Sequence, residues 1–243
     1  MTFRPKLWMT VAAIPALMML IYLGTWQVMR MQWKDALIEE FTSRATAAAV
    51  APPAAASAAD NQYQRMKLTG VWMHHAETQL IGRTFEGTAG YHVITPFRLD
   101  DGRVMLLNRG WVSQDYRLPE ARPSTLTAGP VEVTAILRLP ARKGYFVPAN
   151  NPQQNDWFTL NIADIAAHHQ LGDNLITTYT GDVLRNSGPY VLPIGADVDI
   201  NIPNDHWHYA LTWYGLALGL IGVYLAFHYQ AGRLRFGGKG GQS

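Results

Sequence analysis

Apolar and polar positions divide this chain into three blocks. Leu7 to Trp26 and Tyr209 to Phe227 contain no charged residue, while the long interval between them is mixed and largely polar. Each apolar run is about 20 residues, roughly what an α-helix needs to cross a hydrocarbon core about 30 Å thick. The pattern predicts two transmembrane helices, over 7–29 and 206–229, bracketing one inserted domain. Both termini then lie on one side of the membrane and the domain on the other. Gly24-Thr25-Trp26-Gln27 is a poor cleavage motif, so the first run is expected to be an uncleaved anchor rather than a signal peptide.

The polar interval changes period as it goes. The first helix is expected to run past the membrane through Arg30, Lys34 and Ile38 to about Arg44. Thr46 to Ala59 is almost all alanine around Pro52-Pro53, so 30–59 reads as a helical extension followed by a tether. From Tyr63 the alternation is that of strands. Tyr63 to Gly70 is expected to stop at its glycine, and Gln79 to Gly82 is short. Tyr91 to Phe97 and Val104 to Val112 flank Asp100-Asp101-Gly102, a strong hairpin signal. Val131 to Arg138 is another strand. Ile162 to Gln170 reads as a short helix with Asn161 as N-cap, and Leu175 to Thr180 as a last strand. The predicted fold is therefore two transmembrane helices around a mostly antiparallel β domain (60–205) with one short helix, sandwich or barrel open.

Charge adds an orientation. The tails, 1–6 and 230–243, carry Arg4, Lys6, Arg233, Arg235 and Lys239 and no acid. The opposite flanks mix Arg30 and Lys34 with Asp35, Glu39, Glu40, Asp197, Asp199 and Asp205. The bias of basic residues toward the cytoplasm puts both tails there and the domain outside. In a bacterium that is the periplasmic face of the inner membrane. A net charge of +2 gives no reason to expect a nucleic-acid partner. The absence of cysteine removes disulfides, thiolate zinc sites and thiol copper relays.

Candidate chemistry is sparse. The chain has no nucleophile elbow, phosphate-binding glycine loop, zinc-protease helix or dinucleotide fingerprint, so no positive case for an enzyme arises. The adjacent pairs His74-His75 and His168-His169 point in different directions and make no metal site alone. They and His92 read as solvated or core histidines, and His228 as a polar residue at the inner end of the second span. His206 differs because it opens the second span and shares a face with Tyr209 and Trp213 at i, i+3, i+7, while His208 faces away. At the outer end of the first span, Trp26, Arg30 and Trp33 share a face. Both clusters are compatible with an aromatic belt and a snorkelling arginine. The belt is the plainer reading, and a site at the lipid–water boundary is the alternative if the helices pack. The Gly215, Gly219, Gly222 stripe and the Ala12, Ala16 pair offer small-residue packing faces for that, or for another membrane protein.

Several motifs follow one another along the chain: Leu23-Gly24-Thr-Trp26-Gln27-x-x-Arg30-x-x-Trp33-Lys34, Leu68-Thr69-Gly70, Gly82-Arg83 with Gly87 and Gly90-Tyr91, Thr95-Pro96-Phe97, Asn108-Arg109-Gly110-Trp111-Val112, and Asn204-x-His206-x-x-Tyr209-Ala210-x-Thr212-Trp213-Tyr214. In this order they resemble the Surfeit locus protein 1 family. The resemblance implies a two-span assembly factor for haem-copper terminal oxidases that binds haem a and aids its insertion into the catalytic subunit. It implies His206 as the residue on the haem iron, with Trp26, Gln27, Arg30, Lys34, Tyr209 and Trp213 around it. Arg30 and Lys34 suit the propionates. Asn108, Arg109, Gly110 and Trp111 are expected either to contact a partner or, for Arg109, to be a buried structural residue. The implied partners are the oxidase catalytic subunit, the haem a synthesis machinery and membrane lipid. A scaffold that binds no cofactor is the main rival. An enzyme lacks a visible site, and a copper chaperone lacks a ligand set.

Overall fold

The computed structural model of the protein describes residues 2–56, 58–140, 143–185, 190–198 and 204–235. Asp199 and Lys239, used above for orientation, lie outside the described residues. The chain forms two compact units, residues 1–40 with 201–243, and residues 41–200.

In the first unit, helix α1 (Leu7–Thr46) and helix α4 (His206–Gln230) are both long and apolar enough to cross a membrane. They touch through polar-tipped aromatics rather than through the glycine stripe. Gly24 lies so close to Tyr214 that a Cβ would sit 2.9 Å from its ring. The Tyr214 hydroxyl is 3.1 Å from Thr25 Oγ1, and that of Tyr224 is 2.6 Å from Thr10 Oγ1. A Cβ on Gly215, Gly219 or Gly222 would meet nothing within 4 Å, and Ala12 and Ala16 are exposed, so the expected small-residue packing is corrected. The buried alanines Ala210 and Ala217 mark the true contact side of α4.

Short strands lie beyond the inner ends of the two helices. Strand β1 (Thr2–Phe3) pairs antiparallel with β8 (Leu234–Arg235). His228, in the last turn of α4, is fully buried beneath that ribbon. Its Nδ1 donates to the Tyr224 carbonyl (2.8 Å), and its Nε2 accepts from the Lys6 amide (3.1 Å), which fixes one neutral tautomer.

The second unit is a closed barrel. Its elements are the short helix α2 (Ala58–Asn61), then β2 (Arg65–Trp72), β3 (Thr78–Phe85), β4 (Thr88–Leu99), β5 (Val104–Ser113), β6 (Val131–Arg138), helix α3 (Ile162–His169) and β7 (Thr180–Val183). The strand order is β2-β6-β7-β5-β4-β3, and the end of β4 returns to pair with β2. That last pairing closes a five-stranded ring, β2-β6-β7-β5-β4, and leaves β3 outside it as an edge strand on β4. Every pairing is antiparallel except β5 with β7. The β4–β5 hairpin turns at Asp101-Gly102, with Gly102 at φ +86°, as the Asp-Gly signal predicts.

Three expectations are corrected. Strand β2 does not stop at Gly70. Gly70 belongs to both the β6 and the β4 ladders, and a Cβ there would lie 2.0 Å from the Arg98 carbonyl. The glycine is the corner at which the strand passes from one neighbour to the other. The last strand is Thr180–Val183, not Leu175 to Thr180. Leu175 makes only an isolated bridge to Val104, whereas Gly181, lacking a side chain, lets the backbone reach Leu107. The alanine-rich segment is no free tether. Val50 bridges Met66, Arg103 donates to the Pro52 and Pro53 carbonyls, and the Tyr179 hydroxyl also donates to Pro53. The core inside the ring is formed by Met66, Leu68, Phe97, Met105, Leu107 and Leu137. A second cluster under α3 centres on Trp157, Ile165 and Leu106. The α3 N-terminus is capped by Asn161, whose side chain accepts from Ala163 and Asp164.

Candidate functional site

The boundary cluster begins with where α4 starts. Asp205 is the first residue outside the helix, so His206 is its first residue. From that position its Nδ1 lies 2.7 Å from Gln27 Oε1 on α1. An amide oxygen only accepts, so Nδ1 is the donor here, and in a neutral ring Nε2 is the nitrogen left with a lone pair. A second cross-link lies beside it, where Asn204 Nδ2 donates to Asp35 Oδ1 at 2.6 Å. The Arg30 guanidinium lies 4.0 Å from the centre of the Trp33 ring. That stack holds the cation on one flank of α1. Trp213 is half-buried, while Trp26 and Tyr209 are exposed. The structure thus brings His206 to Gln27 and Arg30 to Trp33. It leaves Trp26 and Tyr209 open, and Lys34 half-buried one turn beyond Arg30. His208 faces elsewhere, its ring 3.6 Å from that of Trp207.

The donor set suits an iron porphyrin. An imidazole whose Nδ1 is held by an amide oxygen presents Nε2 as a ligand, the orientation that outer hydrogen bonds give to metal-binding histidines. A stacked arginine and exposed aromatic rings nearby suit anionic and apolar groups respectively. Among the described residues no group of three or more His, Asp or Glu could hold a bare metal ion.

Asn108, Arg109, Gly110 and Trp111 form a β-bulge in the middle of β5, not an exposed strand end. Val93 pairs with Gly110 and Ile94 with Asn108, so Arg109 is the extra residue. Gly110 has φ +122°, and a Cβ on it would lie 2.0 Å from the Ile194 carbonyl oxygen. Asn108 Oδ1 accepts from the Gly110 amide at 3.1 Å and closes the bulge. Arg109 is only 9% exposed and Trp111 8%. Arg109 donates to the Thr125 carbonyl at 2.7 Å and lies over the Trp72 ring; burial lowers its pKa to about 10. Of the two readings of Arg109, this burial supports the structural one. With Trp111 also inside, the motif offers a partner little surface.

Sequence reasoning missed two networks. In one, Arg122 pairs with Glu77, both buried, and Gln79 donates to the same carboxylate at 2.9 Å. In the other, Asn108 Nδ2 donates to Asp182 at 3.0 Å and lies 3.3 Å from His92 Nδ1, while Arg138 binds Asp182 at 2.7 Å. Strand alternation could have flagged His92, but Asp182 joins it only through the non-local β5–β7 pairing.

Comparison with known proteins adds the following. A family model described as "SURF1 family" matches residues 14–218. A SURF1-like protein of Monosiga brevicollis is 32% identical over 222 residues, which cover 86% of this chain and 84% of that one. Surfeit locus protein 1 of Mus musculus is 33% identical over 210 residues, covering 80% and 67%. Its Homo sapiens counterpart is 32% identical over 212 residues, covering 80% and 69%.

Proposed function

The chain belongs to the SURF1 family, and on that premise we propose that it is a membrane-anchored assembly factor for a haem-copper terminal oxidase. In this reading it holds haem a at the boundary end of α1 and α4 and passes it to the oxidase catalytic subunit. The haem a synthesis machinery is its source. The protein catalyses no reaction of its own, and its barrel faces the periplasm with both tails cytoplasmic.

The observation that supports this most is the His206–Gln27 hydrogen bond. Gln27 engages Nδ1 and so orients the ring, which directs Nε2 away as the nitrogen that a neutral imidazole would offer to a ligand bond. Haem a, when bound, supplies an iron that accepts an imidazole nitrogen, two propionates and a farnesyl chain. Arg30 would donate to a propionate, its guanidinium kept in place by Trp33. Lys34 adds a second cation one turn away. Trp26, Tyr209 and Trp213 offer apolar faces, and lipid solvates the farnesyl chain.

The test is to purify the full chain from cells that also make haem a and record its visible spectrum. Co-purifying haem a with an imidazole-ligated spectrum supports the carrier role. A protein that supports oxidase assembly while carrying no haem makes the cofactor-free scaffold the better reading.

A further inference from the structure

The connection after β6 presents two aromatic rings to solvent. Tyr145 is 95% and Phe146 93% exposed, values that no other large apolar side chain described in the barrel unit reaches. They are not a frayed end. The Val147 amide donates to the Gly144 carbonyl at 3.2 Å, so the two residues occupy the corners of a β-turn. Their rings meet edge to face at 5.1 Å. The turn is a small, shaped apolar wedge.

Directly behind it lies a cleft of about 490 Å³, whose walls include Lys143, Gly144 and Val147 from the same loop. Among the described residues its charges are Arg83, Arg138, Lys143 and a single acid, Asp182. Asp182 is already bound to Arg138 at 2.7 Å. Arg83 donates to the Phe158 carbonyl at 3.2 Å, but among the described residues it has no carboxylate partner, and neither has Lys143. Burial also lowers the pKa of Arg83, as expected of a desolvated, uncompensated cation. The sequence carries no acidic residue from Val133 to Asn155. An uncompensated cationic cleft beside an exposed aromatic wedge matches the two halves of an anionic phospholipid at the interface: a phosphodiester and the upper acyl region.

We propose that the Tyr145-Phe146 turn and the Arg83–Lys143 cleft form a docking site for an anionic phospholipid of the bilayer that the chain inhabits. The inference rests on the membrane reading of the two apolar helices and is independent of haem. Those helices keep lipid at high effective concentration, so a weak site suffices.

The chain has no cysteine, so a single Gly144→Cys substitution gives one spin-label position beside the wedge with both rings intact. The full chain is reconstituted into vesicles of phosphatidylcholine alone, or with phosphatidylglycerol. Collision with oxygen and with a water-soluble nickel chelate is then read by electron paramagnetic resonance. The expected result is a lipid-like, chelate-protected label in the phosphatidylglycerol vesicles and more aqueous exposure without that lipid. Arg83→Gln or Lys143→Gln should each lower the ratio of docked to free label about fivefold. Tyr145→Ser with Phe146→Ser should abolish protection. A label at Leu218→Cys, on α4, is the control. If it reads water, the membrane reading fails and the docking with it. If it reads lipid while position 144 reads water in both vesicles, docking alone is overturned, leaving the wedge to a protein partner. Equal depth in both lipids overturns the headgroup assignment.

Discussion

Acidification gives a sharp test of the polar network around His92 on the barrel wall. His92 sits on β4 opposite Trp111. Its Nδ1 accepts from Asn108 Nδ2 at 3.3 Å, so the neutral ring carries its proton on Nε2. Burial pushes its pKa from 6.5 to about 4, Arg83 adds to the shift and Asp182 opposes it. The folded pKa is therefore below the unfolded one. Between pH 6.5 and about 4 the unfolded chain binds a proton that the folded chain refuses, so stability falls as pH falls. The contribution is complete above pH 6.5 and is lost through pH 4. Its slope approaches about 1.4 kcal/mol per pH unit and its sum is at most about 3 kcal/mol. His169 shifts the same way, first through burial and then through the charges of His168 and His75, so the wild type alone is not decisive. The informative quantity is the difference between wild type and His92→Gln, which cancels His169. Urea unfolding of the full chain in detergent, followed by near-ultraviolet circular dichroism at several pH values, measures it. Wild type should lose stability more steeply than His92→Gln across that window, by about 3 kcal/mol in total. Parallel profiles would mean that His92 does not titrate as a buried neutral ring, and the network argument would fall.

Three further outcomes follow from the geometry. Glu77→Gln leaves Arg122 and Arg109 buried without an acid, and should cost about 3–5 kcal/mol in unfolding free energy; a change near zero would show that the pair is solvated. Gly110→Ala should cost at least about 1–3 kcal/mol and lower the melting temperature, because a Cβ has no room beside Ile194 and φ is +122°; an unchanged Tm would contradict the bulge. A reporter active only outside the cytoplasm should work when fused at Thr127 and fail after Ser243; activity at both sites, or the reverse pattern, overturns the hairpin topology.

The parts that could be read from sequence rest on local chemistry. Two uncharged runs, an Asp-Gly turn and an asparagine cap each act within a few residues, and each led to its element. What stayed hidden depends on contacts distant in sequence. Barrel closure needs β2 to leave β6 for β4 at Gly70, and a glycine in a strand reads as readily as a stop. The register of β5 changes at Arg109, so the burial of an arginine that the sequence leaves open between partner contact and structural role could not be read from strand alternation. The alanine-rich segment looks free by composition, yet its carbonyls bind Arg103 and Tyr179 from strands and loops far away. Glycines 215, 219 and 222 suggest a helix seam, but Tyr214 and Tyr224, with hydroxyls facing α1, make it instead. At the boundary, helical spacing singled out His206 and Arg30, and the structure sets His206 against Gln27 and Arg30 over Trp33. The Gln27 contact was not legible, because it depends on how one helix is rotated against the other.

On the proposed function, His206 is the residue that would hold the iron of haem a. Haem content and visible spectrum of His206→Ala, purified from cells making haem a, test it most directly. The exposed end of α4 should tolerate the substitution, since little packing is lost. The account predicts a normally inserted and folded protein that has lost most of its haem, with His208→Ala keeping its haem and Arg30→Ala losing less than His206→Ala. Gln27→Leu should retain a weakened, spectrally shifted haem, since it removes only the group that orients the ring. A His206→Ala protein with wild-type haem content and spectrum would contradict the account.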